Sequence, residues 1–244
     1  MSRCALIPRP DPDWKTVSSR LTDLTVVTWA VEPARLRPHV PDGFTLELLD
    51  GSALISAVTF YNTTFRPYWL PIGLSLGQTN YRVYVQRQGR RGVFFIGTTI
   101  DTAFVGVPRY LWQMPWRRAR YRFSPGAVEA TGEWPMSLRY VVGEPVGALP
   151  GFSTLGDGLT ILTQPWEGYY QGDDQKIGRY TIWHAPYAPR TATALEVRYG
   201  LLDALDIVPL AAQGQVHSVL AEAETLYHVH LPPRWLSDGT PRTV

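Results

Sequence analysis

Residues Gln78 to Phe123 read QTNYRVYVQRQGRRGVFFIGTTIDTAFVGVPRYLWQMPWRRARYRF. The stretch fits the order strand, turn, strand, helix, strand. From Asn80 to Gln86 the residues alternate, Tyr81, Val83 and Val85 against Asn80, Arg82 and Tyr84. Such a strand has one side for a core and one chemically suited to line a site. Between Gln86 and Gly92 two glycines, Gly89 and Gly92, are expected to supply positive φ while charge keeps the tip solvated, so Val93 to Ile96 returns as the second arm of a hairpin. Asp101 is a candidate N-cap, and Ala103, Phe104, Val107, Tyr110, Leu111 and Met114 recur at helical spacing. Gly106 and Pro108 interrupt that spacing, which predicts a short or kinked helix. Trp116 to Phe123 alternates again. Arg117, Ala119, Tyr121 and Phe123 share one face, while Trp116, Arg118, Arg120 and Arg122 share the other, whose arginines read as a solvated row.

Working outward, Leu24 to Val31 reads as a first strand, Pro33 opens a short helix through Leu36, and Pro41-Asp-Gly43 is a turn before a strand at Phe44 to Leu49. Asp50-Gly51 suits a tight hairpin into Ala53 to Asn62. Downstream, strands are expected at Val128 to Trp134 and Met136 to Val142, and loop across Pro145 to Gly158 with its glycines. A hairpin is expected over Tyr169 to Tyr180, with Lys176 at its polar tip. Ala192 to Ile207 has the strongest helical pattern, with Leu195, Tyr199 and Leu202 on one stripe. His217 to Leu231 returns as a strand. Many short strands with few helices predict a mostly β (α+β) fold, an antiparallel barrel or curved sheet with a few packed helices. The expected organisation is an extended, proline-marked arm over residues 1–14, one domain over 15–236, and a frayed tail over 237–244.

Composition narrows the class. The formal charge of +2 gives no reason to expect a nucleic-acid partner, and 9 tryptophans with 13 tyrosines favour a large aromatic core or cavity lining. Cys4 stands alone, so no internal disulfide can form. No apolar run is long enough for a signal peptide or a membrane span, so a soluble cytoplasmic protein is expected. Homo-oligomerisation through the N-terminal arm is open. Lys15 and Lys176 are the two lysines; the other basic residues are arginine.

The run Gln78 to Val85, then Gly92-Val-Phe-Phe, then Arg109 followed six residues later by Pro115, resembles the YqjF-like (DUF2071) proteins, which are similar to acetoacetate decarboxylase. Trp29-Ala-Val-Glu32, Val40-Pro41-Asp-Gly43, Asp50-Gly51, Gly178-Arg-Tyr180 and His184-Ala-Pro-Tyr187 fit the same pattern. The resemblance implies a cone-like β-barrel with an internal cavity. Acetoacetate decarboxylases carry adjacent lysines after the proline of an Arg-x5-Pro segment, the first of which forms a Schiff base. Here Trp116 and Arg117 stand there. A guanidinium does not lose its proton, so it cannot form that adduct. The decarboxylase carboxylate aligns with Gln78, and the substrate-side arginine falls near Thr22 and Arg20. The resemblance therefore implies the fold and a small-acid pocket rather than Schiff-base decarboxylation.

Three other features bear on chemistry. Gly73-Leu-Ser-Leu-Gly77 matches a nucleophile-elbow pattern, but a proline-rich loop precedes it and a strand, not a helix, follows. His228 and His230 share one strand face, with no carboxylate or cysteine at ligand spacing, and read as core imidazoles rather than metal ligands. Lys176, beside Asp173 and Asp174, reads as solvated. No cofactor is expected. The ligand-binding set is Gln78, Asn80, Arg82, Tyr84, Arg109, Trp116, Arg117 and Tyr121, with arginines among aromatics suited to capture a small carboxylate. The competing reading pairs these arginines with acids such as Asp101 or Glu129. Catalytic residues are not assigned. The second functional reading is an enzyme acting on a keto acid without a covalent step, with Arg117 and Tyr84 or Tyr121 polarising the substrate.

Overall fold

Alternation and turn chemistry divide the chain into fourteen strands, which the structure, a computed structural model, describes within residues 11–236. They are β1 (Thr16–Val31), β2 (Thr45–Leu46), β3 (Leu48–Leu49), β4 (Ser52–Pro67), β5 (Leu74–Arg87), β6 (Arg90–Ile100), β7 (Trp116–Ser124), β8 (Ala127–Gly132), β9 (Met136–Pro145), β10 (Glu167–Gln171), β11 (Ile177–His184), β12 (Arg190–Tyr199), β13 (Ser218–His230) and β14 (Arg234–Trp235). Four short α-helices interrupt them: α1 (Pro33–Leu36), α2 (Gly106–Leu111), α3 (Leu155–Thr163) and α4 (Gly200–Ala204). Cys4, most of the expected N-terminal arm and the expected tail over 237–244 lie outside the described residues.

All the strands belong to one curved sheet, mostly antiparallel, with parallel ladders where β6 meets β7 and β10. The sheet does not close as a single barrel. It forks, because β6 and β13 each divide one edge between two neighbours. On β6, Val93 and Phe94 pair with β10 while Thr98 to Ile100 pair with β7. On β13, Val219-side residues Leu220 and Ala221 pair with β12 while Tyr227 to Val229 pair with β11. A trunk of five strands, β13-β1-β4-β5-β6, is thus shared by two hydrogen-bonded circuits, a small one closed by β10 and β11 and a large one closed by β7, β8, β9 and β12.

Each trunk face therefore has its own core. Val27, Trp29, Ile55, Ala57, Tyr81, Val83 and Val85 pack with Ala119, Val128, Leu138, Val197 and Tyr199 of the large circuit. Their sequence neighbours Val26, Leu54, Val58, Tyr84 and Phe95 pack with Tyr170, Ile182 and Leu162 on the other side. Strands buried on both faces read as near-continuous runs, as SALISAVTF in β4 does.

The hairpin between β5 and β6 turns at Gln88 and Gly89, φ +50° and +75°. Gly92 lies in β6, where a Cβ would meet the Glu167 carbonyl at 2.8 Å, so this glycine serves the close approach of β10 rather than the turn. Asp50-Gly51 forms the expected tight turn, φ +49° and +84°. The helix after β6 is short, as expected, but Thr102, not Asp101, caps its first turn by accepting from Phe104 N; Asp101 accepts from Tyr121 N instead.

Two element assignments also fail. The first half of Ala192 to Ile207 belongs to strand β12, and only Gly200–Ala204 is helix. A bulge between Ala194 and Glu196 shifts the alternation, so that Leu195 is exposed while Val197 and Tyr199 enter the core. The resulting spacing of Leu195, Tyr199 and Leu202 imitates a helical stripe. Helix propensities of a few tenths of a kcal/mol per residue yield to a ladder with β9. Conversely, the expected loop at Pro145 to Gly158 gives way at Leu155 to α3, whose N-cap Thr154 accepts from Asp157 N at 3.1 Å and donates to Asp157 Oδ2 at 2.7 Å. The Thr154-x-x-Asp157 pattern was the available signal.

Candidate functional site

The face of β5 that carries Gln78, Asn80, Arg82 and Tyr84 points into the small circuit. Gln78 and Asn80 wall a cavity there with Phe60, Met114, Trp116, Tyr180 and Tyr227. The parallel ladder that sets Trp116 opposite Thr98 delivers Trp116 to this wall. The space measures about 20 Å³, room for about one water. Asn80 Oδ1 accepts from Gln78 Nε2 at 2.8 Å and from Thr98 Oγ1 at 3.0 Å. Among the described residues its amide nitrogen makes no hydrogen bond and remains as a donor in the wall.

Arg82 lies further along the same strand face. It is 7% exposed, its guanidinium sits 5.6 Å from the Tyr84 ring, and Nη2 donates to the Leu162 carbonyl at 2.5 Å. That carbonyl belongs to the last turn of α3, whose negative end answers part of the charge. Among the described residues no carboxylate stands within ion-pair distance of Arg82, and its Nε is buried without a hydrogen-bond partner. Tyr84 donates to the same carbonyl at 3.2 Å and shares a hydrogen bond with Ser56 at 2.7 Å, so the strand face around Arg82 is held in place.

The groups around Arg82 register its charge. Burial pushes the hydroxyls of Tyr180, Tyr187 and Tyr227 well above the usual phenol range, and in each case the nearby guanidinium pulls the other way. His184 is pushed down to about 4, first by burial and then by Arg82, against a hydrogen bond with the Ala185 carbonyl at 2.7 Å. Its ring stacks on Tyr187 with centroids 4.3 Å apart. His184, Tyr180 and Tyr227 are partners that sequence reasoning did not assign to the site. The motif containing His184 was visible, but which strands meet across the circuit was not.

The other expected ligand residues are elsewhere. Arg109 is exposed on α2, 5.7 Å from the Tyr110 ring. Arg117 is on the large-circuit side, paired with Glu133 at 3.3 Å and lying 5.5 Å from the Trp134 ring. Tyr121 is on that side too, its hydroxyl bonded to Thr79 and Thr99 at 2.7 and 2.6 Å. Gln78, Asn80, Arg82, Tyr84 and Trp116 thus share one face or cavity, whereas Arg109, Arg117 and Tyr121 do not join them.

Ser75 lies exposed on β5, donating to the Thr63 carbonyl at 2.7 Å, with no helix after it. His228 is fully buried against Trp183, 5.2 Å between ring centroids. Lys176 is exposed and pairs with Asp174 at 2.6 Å. Among the described residues no cluster of three His, Cys, Asp or Glu side chains is placed to hold a metal, and no helix is long and apolar enough to cross a membrane.

Comparison with known structures shows the same fold at low identity. Enduracididine biosynthesis enzyme MppR complexed with pyruvate matches with a TM-score of 0.59 and 12% identity, over 94% of this chain and 92% of MppR. An acetoacetate decarboxylase-like enzyme from Sphingomonas wittichii RW1 matches at 0.59 and 13%, over 92% and 94%. Acetoacetate decarboxylase from Legionella pneumophila matches at 0.58 and 11%, over 95% and 92%. In sequence, the uncharacterized protein YqjF of Bacillus subtilis (strain 168) is 30% identical over 95 residues, which span 38% of this chain and 39% of YqjF. The DUF2071 model, described as an uncharacterized conserved protein, matches residues 18–224. The chain belongs to the DUF2071 family and has an acetoacetate decarboxylase-like fold.

Proposed function

We propose that the protein binds a small organic acid inside the small circuit, with the carboxylate directed to Arg82 Nε and the rest of the molecule between Asn80, Trp116, Tyr180 and Tyr227. The observation that carries this reading is Arg82, a deeply buried cation with no carboxylate partner among the described residues and one guanidinium nitrogen without an acceptor. An arginine keeps its charge, and a buried charge without a counter-ion is costly unless something else answers it. A carboxylate ligand does so bidentately. The pyruvate in the MppR complex supports the same class of ligand. Because the cavity holds about one water as it stands, binding requires side chains to yield, and Met114 is the flexible wall.

The bound acid is not decarboxylated through a Schiff base. Gln78 and Trp116 stand where the resemblance places the decarboxylase carboxylate and first lysine, and neither Lys15 nor Lys176 lines the cavity.

The test is thermal unfolding of wild type and Arg82→Met with small carboxylic and keto acids, each beside its neutral amide. An acid at about 100 times its Kd stabilises by about 2.7 kcal/mol. Acids should raise the wild-type midpoint, amides should not, and Arg82→Met should lose the response. Equal shifts by acids and amides, or a response kept by Arg82→Met, would remove the reading. Borohydride with a keto acid should leave the protein mass unchanged, and a trapped adduct would restore Schiff-base chemistry.

A further inference from the structure

A second group of polar side chains converges outside that cavity, where the start of β1 meets β11, the end of β13 and β14. Asp13, Lys15, Arg179, His230 and Arg234 wall a mostly polar pocket of about 180 Å³. The ladders build it: Thr16 lies opposite His230, and Arg179 lies opposite Arg234. The turn before β1 is tied down, with Asp13 Oδ1 accepting from Lys15 N at 2.9 Å and from Thr16 Oγ1 at 3.0 Å.

Asp13 is the one carboxylate among the residues lining this pocket, and its field falls on Lys15 and His230, so the cationic side chains of Lys15, Arg179 and Arg234 outnumber it. Arg179 is held at 3.2 Å by Glu167, which does not line the pocket. Lys15 and Arg234 make no ion pair among the described residues, and His230 Nε2 is buried without a hydrogen-bond partner. Donors therefore approach one space from three separate elements. A carboxylate presents two coplanar oxygens, whereas a phosphoryl group presents three oxygens in different directions and carries more charge.

We propose that this pocket binds a small phosphate-bearing molecule, its phosphoryl oxygens accepting from Lys15, Arg234 and His230 while Arg179, fixed by Glu167, supplies field from the wall. The site is separate from the acid cavity, although Tyr180 lines both.

Titration calorimetry of the full chain at low salt, with inorganic phosphate, phenyl phosphate and benzoate as probes, tests this. Lys15→Gln and Arg234→Gln should each weaken phenyl phosphate at least tenfold and leave thermal unfolding unchanged. Arg118→Gln, removing an exposed arginine on β7, should leave affinity as in wild type. Benzoate should bind at least tenfold more weakly than phenyl phosphate. The proposal is overturned if wild type gives no heat with either phosphate, if Arg118→Gln weakens binding as much as Arg234→Gln, or if benzoate matches phenyl phosphate. It is also overturned if Arg82→Met abolishes phosphate binding while Arg234→Gln leaves it intact, since the anion would then occupy the interior.

Discussion

The two faces of the trunk are built from the same strands but are finished differently. On the large-circuit face, buried polar groups answer one another. Gln213, fully buried, accepts from Tyr199 N at 2.6 Å and donates to the carbonyls of Tyr199 and Val208 at 3.0 and 2.9 Å. Its own carbonyl accepts from Trp29 Nε1 at 2.9 Å. What lacks a partner on that face is neutral, as the Tyr81 hydroxyl is. On the small-circuit face a full positive charge is buried with one helix-end carbonyl and, among the described residues, no carboxylate. A neutral orphan costs about 1–3 kcal/mol, whereas an orphaned charge costs more. The first face is a core that specifies the fold. The second keeps a cost that a ligand can offset, and the two should respond in opposite ways to mutation.

The largest effect belongs to the satisfied face. Gln213→Ala orphans the buried Tyr199 and Val208 groups and should lower stability in urea by about 3 kcal/mol or more. A loss below about 1 kcal/mol would show that water replaces the amide and that this face is no better satisfied than the other.

Next comes pH. His184 has a folded-state pKa of about 4 against the usual 6.5, so between those values the unfolded chain binds the extra proton. The contribution is fully present above about pH 6.5 and is lost as pH falls through 4. At 1.36 kcal/mol per unit, discounted because the side chain is only partly buried, it amounts to about 2 kcal/mol. His184→Gln should flatten the stability profile in that window, and parallel wild-type and variant profiles would place His184 in solvent.

Arg82→Met should leave stability unchanged or raise it by about 1 kcal/mol, because the change removes a buried charge without a counter-ion. A drop of about 3 kcal/mol would mean that the bond to Leu162 anchors α3, and the contrast between the faces would collapse. The smallest effect is expected at the β10–β11 tip. Lys176→Ala removes an exposed ion pair with Asp174 and should stay within about 0.5 kcal/mol of wild type in the same unfolding measurement.

Much of this architecture was legible because it is local. Period-2 alternation marked β5 and β7, and the tight turn at Asp50-Gly51 and the glycine-bearing turn within Gln86 to Gly92 were marked by the backbone conformations they need. Alternation also separated the Asn80-Arg82-Tyr84 face from the Tyr81-Val83-Val85 face. It failed at β12, where a bulge converts period 2 into an apparent helical stripe, and at α3, where glycines hid a capping pair.

Sequence by itself determined most of the strands and turns, the two-sided character of β5 and the family. Tertiary structure decided which side of β7 faces which circuit, and so sent Trp116 to the cavity and Arg117 to Glu133. It also decided that Tyr180, Tyr227 and His184, on strands far along the chain from Arg82, surround its charge. Alternation follows from the geometry of one strand. The forks at β6 and β13 arise from long-range pairings that share an edge, and no local pattern encodes which neighbour takes which half.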